Sequence, residues 1–305
     1  MGEEKKPLIQ MYWIHALTPI HAGAGAGMGF IDLPIMREKT TGWPILPGTA
    51  VKGVVADDGG NADERKKDSI RRAAFGIAES SQDGYGSHTG SLVFSDARLV
   101  CLPVRSLYGT FAWVTSPLAL ARVKRDLAAV GIGQDLPELY CQGDALLATK
   151  SSSLAAPPHS SKAYLADLDF SLQRHDDAGR WARDLGKWLF ADSENWQTEF
   201  AARLAVVAND TFDFLSETAT EVNARVRIET SKKTVADGAL WYEEALPAES
   251  ILAGVVWCDK DYSGKNLTAK DILGRFCVGT KLLQIGGKAT VGRGRVRCIF
   301  GGGYA

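Results

Sequence analysis

Apolar residues recur along this chain in two spacings, one of strands and one of helices. Residues 8–18 gather aliphatic and aromatic side chains (Ile9, Tyr12, Trp13, Ile14) up to Pro19, which predicts a buried strand. The stretch SLVFSDARLVCLPVRSLYGTFAWVTS, 91–116, predicts one or two strands, and ESILAGVVWCDK predicts another with a continuous apolar run. Helical spacing appears at 62–80, where one face is charged, and at 116–131, where Ser116 caps, Pro117 fills the first turn and Gly131 ends the helix. Further helices are expected at about 177–191, near 210–217 and in LTAKDILGRFCVG. Thr49 is expected to cap a short helix, TAVKGVVA. Residues 222–247 predict a hairpin: VNARVRIET, the polar turn SKKTVADG, then ALWYEEALP.

The segment 142–163, QGDALLATKSSSLAAPPHSSKA, holds no period and is rich in Ser, Ala and Pro. It is expected to leave the core as an excursion or a mobile loop. The chain closes on LLQIGGKATVGRGRVRCIF, a glycine-rich turn leading into a last strand. Strand, helix, strand, helix, hairpins and a closing strand make an α+β fold built on βαββαβ-type units.

Composition narrows the class. The 305 residues are 45% hydrophobic, enough for a sizeable core. No apolar run reaches the length of a membrane span, and no secretory signal or myristoylation pattern opens the sequence. Five cysteines stand far apart without a CxxC pair, which predicts reduced, buried thiols in a cytoplasmic protein rather than a zinc site. The five histidines make no HxxxH pair. The net charge of −1 excludes a surface coated in cations but leaves room for one basic groove.

Four segments could carry chemistry. The first, HAGAGAGMG at 21–29, matches neither a dinucleotide fingerprint nor a phosphate-binding loop. Its glycines, Gly23 and Gly25 among them, would let a backbone come close to a ligand, and a flexible turn explains them equally well. Asp32 follows. A lone aspartate usually caps a turn, yet beside such a loop a carboxylate could hold a divalent metal or take a proton from a ribose hydroxyl. Third, Lys52 would sit in the first turn of the helix capped by Thr49, beside free N–H groups that favour an anion. Fourth, in IGGKATVGRGRVR, Gly286, Gly287, Gly292 and Gly294 interleave with Lys288, Arg293, Arg295 and Arg297 and no acid intervenes. That is either a phosphate-binding strand or a basic edge that discourages aggregation.

Several stretches, in order along the chain, resemble the RAMP superfamily. TPIHAGAGAGMGFIDLPIMREKTTGWPILPGTAVKG (18–53) is similar to its N-terminal signature. VRSLYGTFAWVTSPLALARVKRDL (104–127) resembles the backbone subgroup of the type III-B CRISPR effector, the Cmr complex. GALWYEEALP (238–247) and LQIGGKATVGRGRV (283–296) are similar to later motifs, while 56–90 and 142–220 are weakly matched. The resemblance implies one RAMP domain over 1–305, with a ferredoxin-like palm, insertions at about 56–90 and 142–220, and a thumb-like hairpin at about 222–247. It implies copies stacked head-to-tail along a CRISPR guide RNA, with other Cmr subunits and a complementary target RNA as partners and no membrane. In each copy the thumb displaces a nucleotide of the guide–target duplex.

Carried over residue by residue, the resemblance makes Asp32 the catalytic residue of a metal-dependent endoribonuclease, with Mg or Mn as the divalent metal. It makes His21 and Glu243 supporting residues, and Gly23, Gly25, Lys52, Gly286, Gly287, Lys288, Arg293 and Arg295 RNA-binding. The chain departs from the pattern at Ala245, where some relatives carry an aromatic two residues after the glutamate, and that departure counts against a supporting role for this loop. The implied reaction is attack of the ribose 2′-OH on the adjacent phosphate. A structural RNA-binding subunit without catalysis is the alternative, and a guide-RNA-processing endoribonuclease ranks third.

Overall fold

A computed structural model describes residues 7–25, 27, 29–59, 67–77, 87–155, 161–229 and 234–301. The first strand, Leu8–Ala16, lies inside a mostly antiparallel sheet. It pairs antiparallel with Ile251–Cys258 on one side and with Arg295–Phe300 on the other. Ile251–Cys258 pairs in turn with Ala97–Arg105, and Arg295–Phe300 with Gly279–Gln284. Strand geometry sends alternate side chains to opposite faces, and here both faces are covered. Tyr12, Ile14 and Ala16 join one core with Val51 and Val55 of the helix Gly48–Asp57 and Ile272, Leu273 and Phe276 of the helix Ala269–Phe276. Met11 and Trp13 join the other with Leu120, Val123 and Leu127 of the helix Pro117–Ala129 and Trp181 and Leu185 of the helix Asp176–Leu189. This explains why the first strand reads as a continuous apolar run rather than an alternating one.

Beyond Ala97–Arg105 the same sheet runs on through Phe111–Thr115, Leu204–Val207, Ala145–Ala148, Leu168–Arg174 and Lys162–Leu165, with two parallel pairings among them. Its far edge curls back on its start: Leu165 bridges Ser106, and the Leu107 N–H donates to the Tyr164 carbonyl at 3.1 Å. That contact covers an edge otherwise open to strand pairing.

Two expectations are corrected. The segment 142–163 is not simply an excursion: Leu146, Leu147 and Ala148 are buried in the sheet, and Leu154 joins the core, although 156–160 lie outside the described residues. A four-residue strand is too short to show a period. Thr49 is not the cap of its helix, which begins at Gly48 after Pro47; the Gly48 N–H is instead taken by Asp96 Oδ1 at 2.8 Å, from a distant part of the chain. The helix Glu194–Arg203, capped by Ser193, went unforeseen. Of the helix expected at 62–80, Ser69–Phe75 is seen, capped by Asp68, while 60–66 and 78–86 lie outside the described residues.

The helix Pro117–Ala129 carries its Ser116 cap and first-turn proline as expected. All five cysteines are buried and free. The hairpin forms as Glu221–Glu229 against Thr234–Ala245, a separate two-stranded sheet with a bulge between Val226 and Ile228. No described helix is long and apolar enough to cross a membrane.

Replacing Leu146 by Ala is expected to destabilise the chain by about 2–5 kcal/mol, the effect of a cavity in a packed core, because its side chain is fully buried. Urea unfolding of the purified chain checks this, and a loss below about 0.5 kcal/mol, the range of a surface change, would return the segment to a loop.

Candidate functional site

Three stretches distant in sequence meet at the base of the hairpin. The N-terminal loop runs beside its second strand: Leu33 N–H donates to the Tyr242 carbonyl at 3.1 Å, and Glu244 N–H to the Leu33 carbonyl at 3.0 Å. Ile20 and Leu246 exchange N–H···O bonds at 2.8 Å. The glycine-rich tail docks on the same loop, Gly287 N–H donating to the His21 carbonyl at 2.9 Å and Gly294 N–H to the Pro19 carbonyl at 2.8 Å. Gly294 is in the left-handed region, and a Cβ there would lie 2.1 Å from the Ile285 carbonyl oxygen. At Gly286 it would lie 2.5 Å from the His21 carbonyl oxygen. These two glycines therefore let protein backbone approach protein backbone. Around Gly25 and Gly292 the space is open.

Asp32 is exposed, and its Oδ2 accepts the Tyr242 N–H at 2.7 Å. That bond fixes the carboxylate against the hairpin and leaves Oδ1 without a partner among the described residues. His21 is buried, and its Nδ1 lies 2.7 Å from the Glu244 carbonyl. A carbonyl only accepts, so Nδ1 carries the proton and a neutral ring keeps its lone pair on Nε2, which borders Gly23. Asp32, His21 and Glu243 are thus brought to one loop-and-hairpin junction. Lys52 belongs to another network: its ammonium donates to the Leu92 carbonyl at 2.8 Å, and burial lowers its pKa. The helix N-terminus that was expected to offer it a companion anion site is already occupied at Gly48 by Asp96.

Glu243 and Glu244 are both buried. Glu243 accepts from Lys288 Nζ at 2.8 Å, from Trp241 Nε1 at 2.8 Å and from Arg225 Nε at 3.3 Å. Burial alone would raise its pKa, but the bonds from Lys288 and Trp241 and the charges of Lys288 and Arg225 outweigh it and hold it at about 2. Glu244 accepts from the Ile35 N–H at 3.0 Å, from Arg37 at 2.5 Å and from Thr220 at 2.9 Å. Arg37, Arg225 and Glu244 were not singled out from sequence. Two adjacent acids inside a strand were the available signal, since such a pair points to both faces and must find partners wherever it is buried.

Three cations of the basic tail find acids elsewhere in the chain: Lys288 on Glu243, Arg293 on Glu221 at 3.4 Å, and Arg297 on Asp192 at 3.0 Å. Arg293 is buried. Arg295 is exposed, and its guanidinium has no acid partner among the described residues. Ala245, at the position where an aromatic was expected, is 1% exposed and sits opposite Glu221 in the hairpin.

Glu243 ties stability to pH. Its folded pKa is depressed from 4.5 to about 2, so its contribution is fully present above the unfolded value and is lost as pH falls through the folded one. Glu243→Gln is expected to cost roughly 1.5–3 kcal/mol at pH 7, the worth of hydrogen bonds to a charged group. The gap to wild type should narrow between about pH 5 and pH 2. Thermal melts of both proteins over that range check it, and a pH-independent gap would detach Glu243 from this role.

Comparison with known proteins agrees with this architecture. The family model of the RAMP superfamily matches residues 13–297. The CRISPR system Cmr endoribonuclease Cmr4 of Pyrococcus furiosus is 31% identical over 288 residues, 93% of this chain and 92% of that protein. The crystal structure of oligomeric Cmr4 from Pyrococcus furiosus superposes with a TM-score of 0.69 at 25% identity, over 96% of this chain and 98% of that one. A type III-B Cmr-beta complex bound to cognate target RNA contains a chain of the same fold, with a TM-score of 0.67 at 18% identity, over 95% and 96% of the two chains. With its family signature running from the first strand to the last, the chain belongs to the RAMP superfamily.

Proposed function

We propose that this chain is the backbone subunit of a type III-B CRISPR effector, binding guide RNA and cutting the complementary target RNA. The observation that carries the reading is Asp32, a single exposed carboxylate held by one oxygen to the base of an extended hairpin. The relative from Pyrococcus furiosus is named an endoribonuclease of the Cmr system, and a crystallised form of it is oligomeric. Head-to-tail stacking with other copies and with other Cmr subunits follows from that likeness. The strand order Arg295–Phe300, Leu8–Ala16, Ile251–Cys258, Ala97–Arg105, antiparallel throughout, supports a ferredoxin-like palm. In sequence the helix Gly48–Asp57 stands between Leu8–Ala16 and Ala97–Arg105, and the helix Ala269–Phe276 between Ile251–Cys258 and Arg295–Phe300, as that fold requires. The separate ribbon Glu221–Ala245 is the counterpart of a thumb.

In this reading Asp32 Oδ1 takes the proton of a ribose 2′-OH while Oδ2 stays on the Tyr242 N–H. The 2′ oxygen attacks the neighbouring phosphate, the bond to the 5′ oxygen breaks, and that oxygen is protonated from solvent. The products are a cyclic phosphate and a 5′-OH. Among the described residues the Tyr242 N–H is the one partner of the carboxylate, and it leaves Oδ1 to meet the hydroxyl. Among the described residues no three acidic, histidine or cysteine side chains cluster as a metal cage. One carboxylate suits a Mg or Mn ion whose remaining ligands are waters and RNA phosphate oxygens. Asp32 is the residue that would hold it, and the ion, when bound, supplies positive charge against the phosphate.

Asp32→Asn keeps the shape of the side chain and an oxygen for the Tyr242 N–H but removes the base. Cleavage of a labelled complementary RNA by the reconstituted complex is expected to fall about 10²-fold or more, with assembly and target binding unchanged. Full cleavage by the variant would leave a structural RNA-binding subunit.

Guide binding is expected to weaken steeply with salt. Arg295→Ala should lower the slope of that dependence by about one, because one phosphate is no longer neutralised. Arg293→Ala should leave the slope as it is, because Glu221 already neutralises that guanidinium. Salt titrations of guide binding check both, and the opposite pattern would assign the phosphate to Arg293 rather than Arg295.

A further inference from the structure

Phe30 is 99% exposed, the most exposed large apolar side chain among the described residues. Burying a phenylalanine side chain is worth about 1.5–3 kcal/mol, a gain this ring leaves unused in the free chain and a flat partner would realise. Its surroundings narrow the choice. Phe30 stands two residues before Asp32, within about 7 Å of chain. Gly29 precedes it, and a Cβ there would meet no atom beyond its chain neighbours within 4 Å. The backbone amide that pins Asp32 belongs to Tyr242, whose own side chain is 42% exposed. Tyr242 shares a hairpin face with Val222, Val226 and Leu240, all of them exposed. The carboxylate is therefore flanked along the chain by one exposed aromatic and tied to the backbone of another.

We propose that Phe30 is a stacking residue for an unpaired nucleobase of the RNA beside Asp32, so that one loop both grips a base and presents the carboxylate to its ribose. This rests on the reading of Asp32 as the site of RNA cleavage. The chemistry fits: every base has a π-face, an aromatic ring takes any of them, and selection by sequence is not required of the contact. The spacing fits as well, since a base and its own 2′-OH are joined through one ribose, and Phe30 and Asp32 are joined through one intervening residue. Fixing the base restricts rotation of the ribose and keeps the hydroxyl near the carboxylate, which is a contribution to geometry and not to proton transfer.

The test uses the reconstituted complex with guide RNA and target RNAs carrying a single 2-aminopurine at successive positions. Binding and fluorescence are read with Asp32→Asn, so that the target stays intact, and cleavage is read with Asp32 in place. Stacking by Phe30 is expected to quench one recurring position, and Phe30→Ala to relieve that quench. Phe30→Ala should also slow single-turnover cleavage about tenfold, within the range of removing one base–aromatic stack, with assembly of the complex unchanged. Phe30→Trp should restore both signals and Phe30→Leu neither. Equal quench and equal rate in Phe30→Ala would overturn the stacking role while leaving the role of Asp32 intact. Loss of assembly in Phe30→Ala, read by size-exclusion chromatography, would place the ring in a contact between copies and overturn it too. Full cleavage by Asp32→Asn would remove the cleavage reading itself, and with it the reason for a base to be held there.

Discussion

Glu243 and Glu244 are neighbours in a strand, so their side chains leave it on opposite sides, and both are buried. Two adjacent buried charges are tolerable only if each is matched separately. Glu243 draws Lys288 from the C-terminal loop, Arg225 from across the hairpin and the Trp241 indole. Glu244 draws Arg37 and the Ile35 amide from the N-terminal loop, and Thr220 from the start of the hairpin. The N-terminal loop, the hairpin and the C-terminal loop therefore all have to be present before both acids are satisfied. Pairs of this kind contribute position more dependably than net stability, and position is what the junction supplies: the bonds that anchor Leu33 to Tyr242 and Glu244 also set where Asp32 stands.

The same matching of charges explains how a chain of net charge −1 can carry a dense basic tail. Three of its four cations are neutralised by acids from outside the tail. Most of the positive charge that looks available for phosphates instead holds loops together, and Arg295 is left facing solvent. The tail glycines divide in the same way. Gly286 and Gly294 are required by the approach of one backbone to another, whereas the space around Gly292 is open.

The sheet places these parts without contributing a reactive group. Burial of the first strand on both faces fixes the register of its neighbours Ile251–Cys258 and Arg295–Phe300, because a one-residue slip would exchange the two cores. The hairpin strand Thr234–Ala245 and the tail loop are joined directly to these two fixed strands. The lobe 111–207 closes one end of the sheet by returning to Ser106, and it braces the N-terminal segment through the Arg122–Glu38 ion pair.

Taken by itself, the sequence determined the elements with strong local signals. The first strand follows from its apolar run, the helix Pro117–Ala129 from Ser116 and Pro117, and the hairpin from two apolar stretches around a polar turn. Its motifs also picked out Asp32, His21 and Glu243, which the fold brings to one junction. What it could not determine depends on partners far away in the chain. The cap on Gly48 comes from Asp96, the counter-ions of the tail come from Glu221, Glu243 and Asp192, and the strand Ala145–Ala148 is a strand because Leu204–Val207 and Leu168–Arg174 flank it. Local propensity is a property of a few consecutive residues, whereas the pairing of a charge or of a short strand is decided by whichever group the tertiary fold delivers to it, and only the packed structure specifies that group.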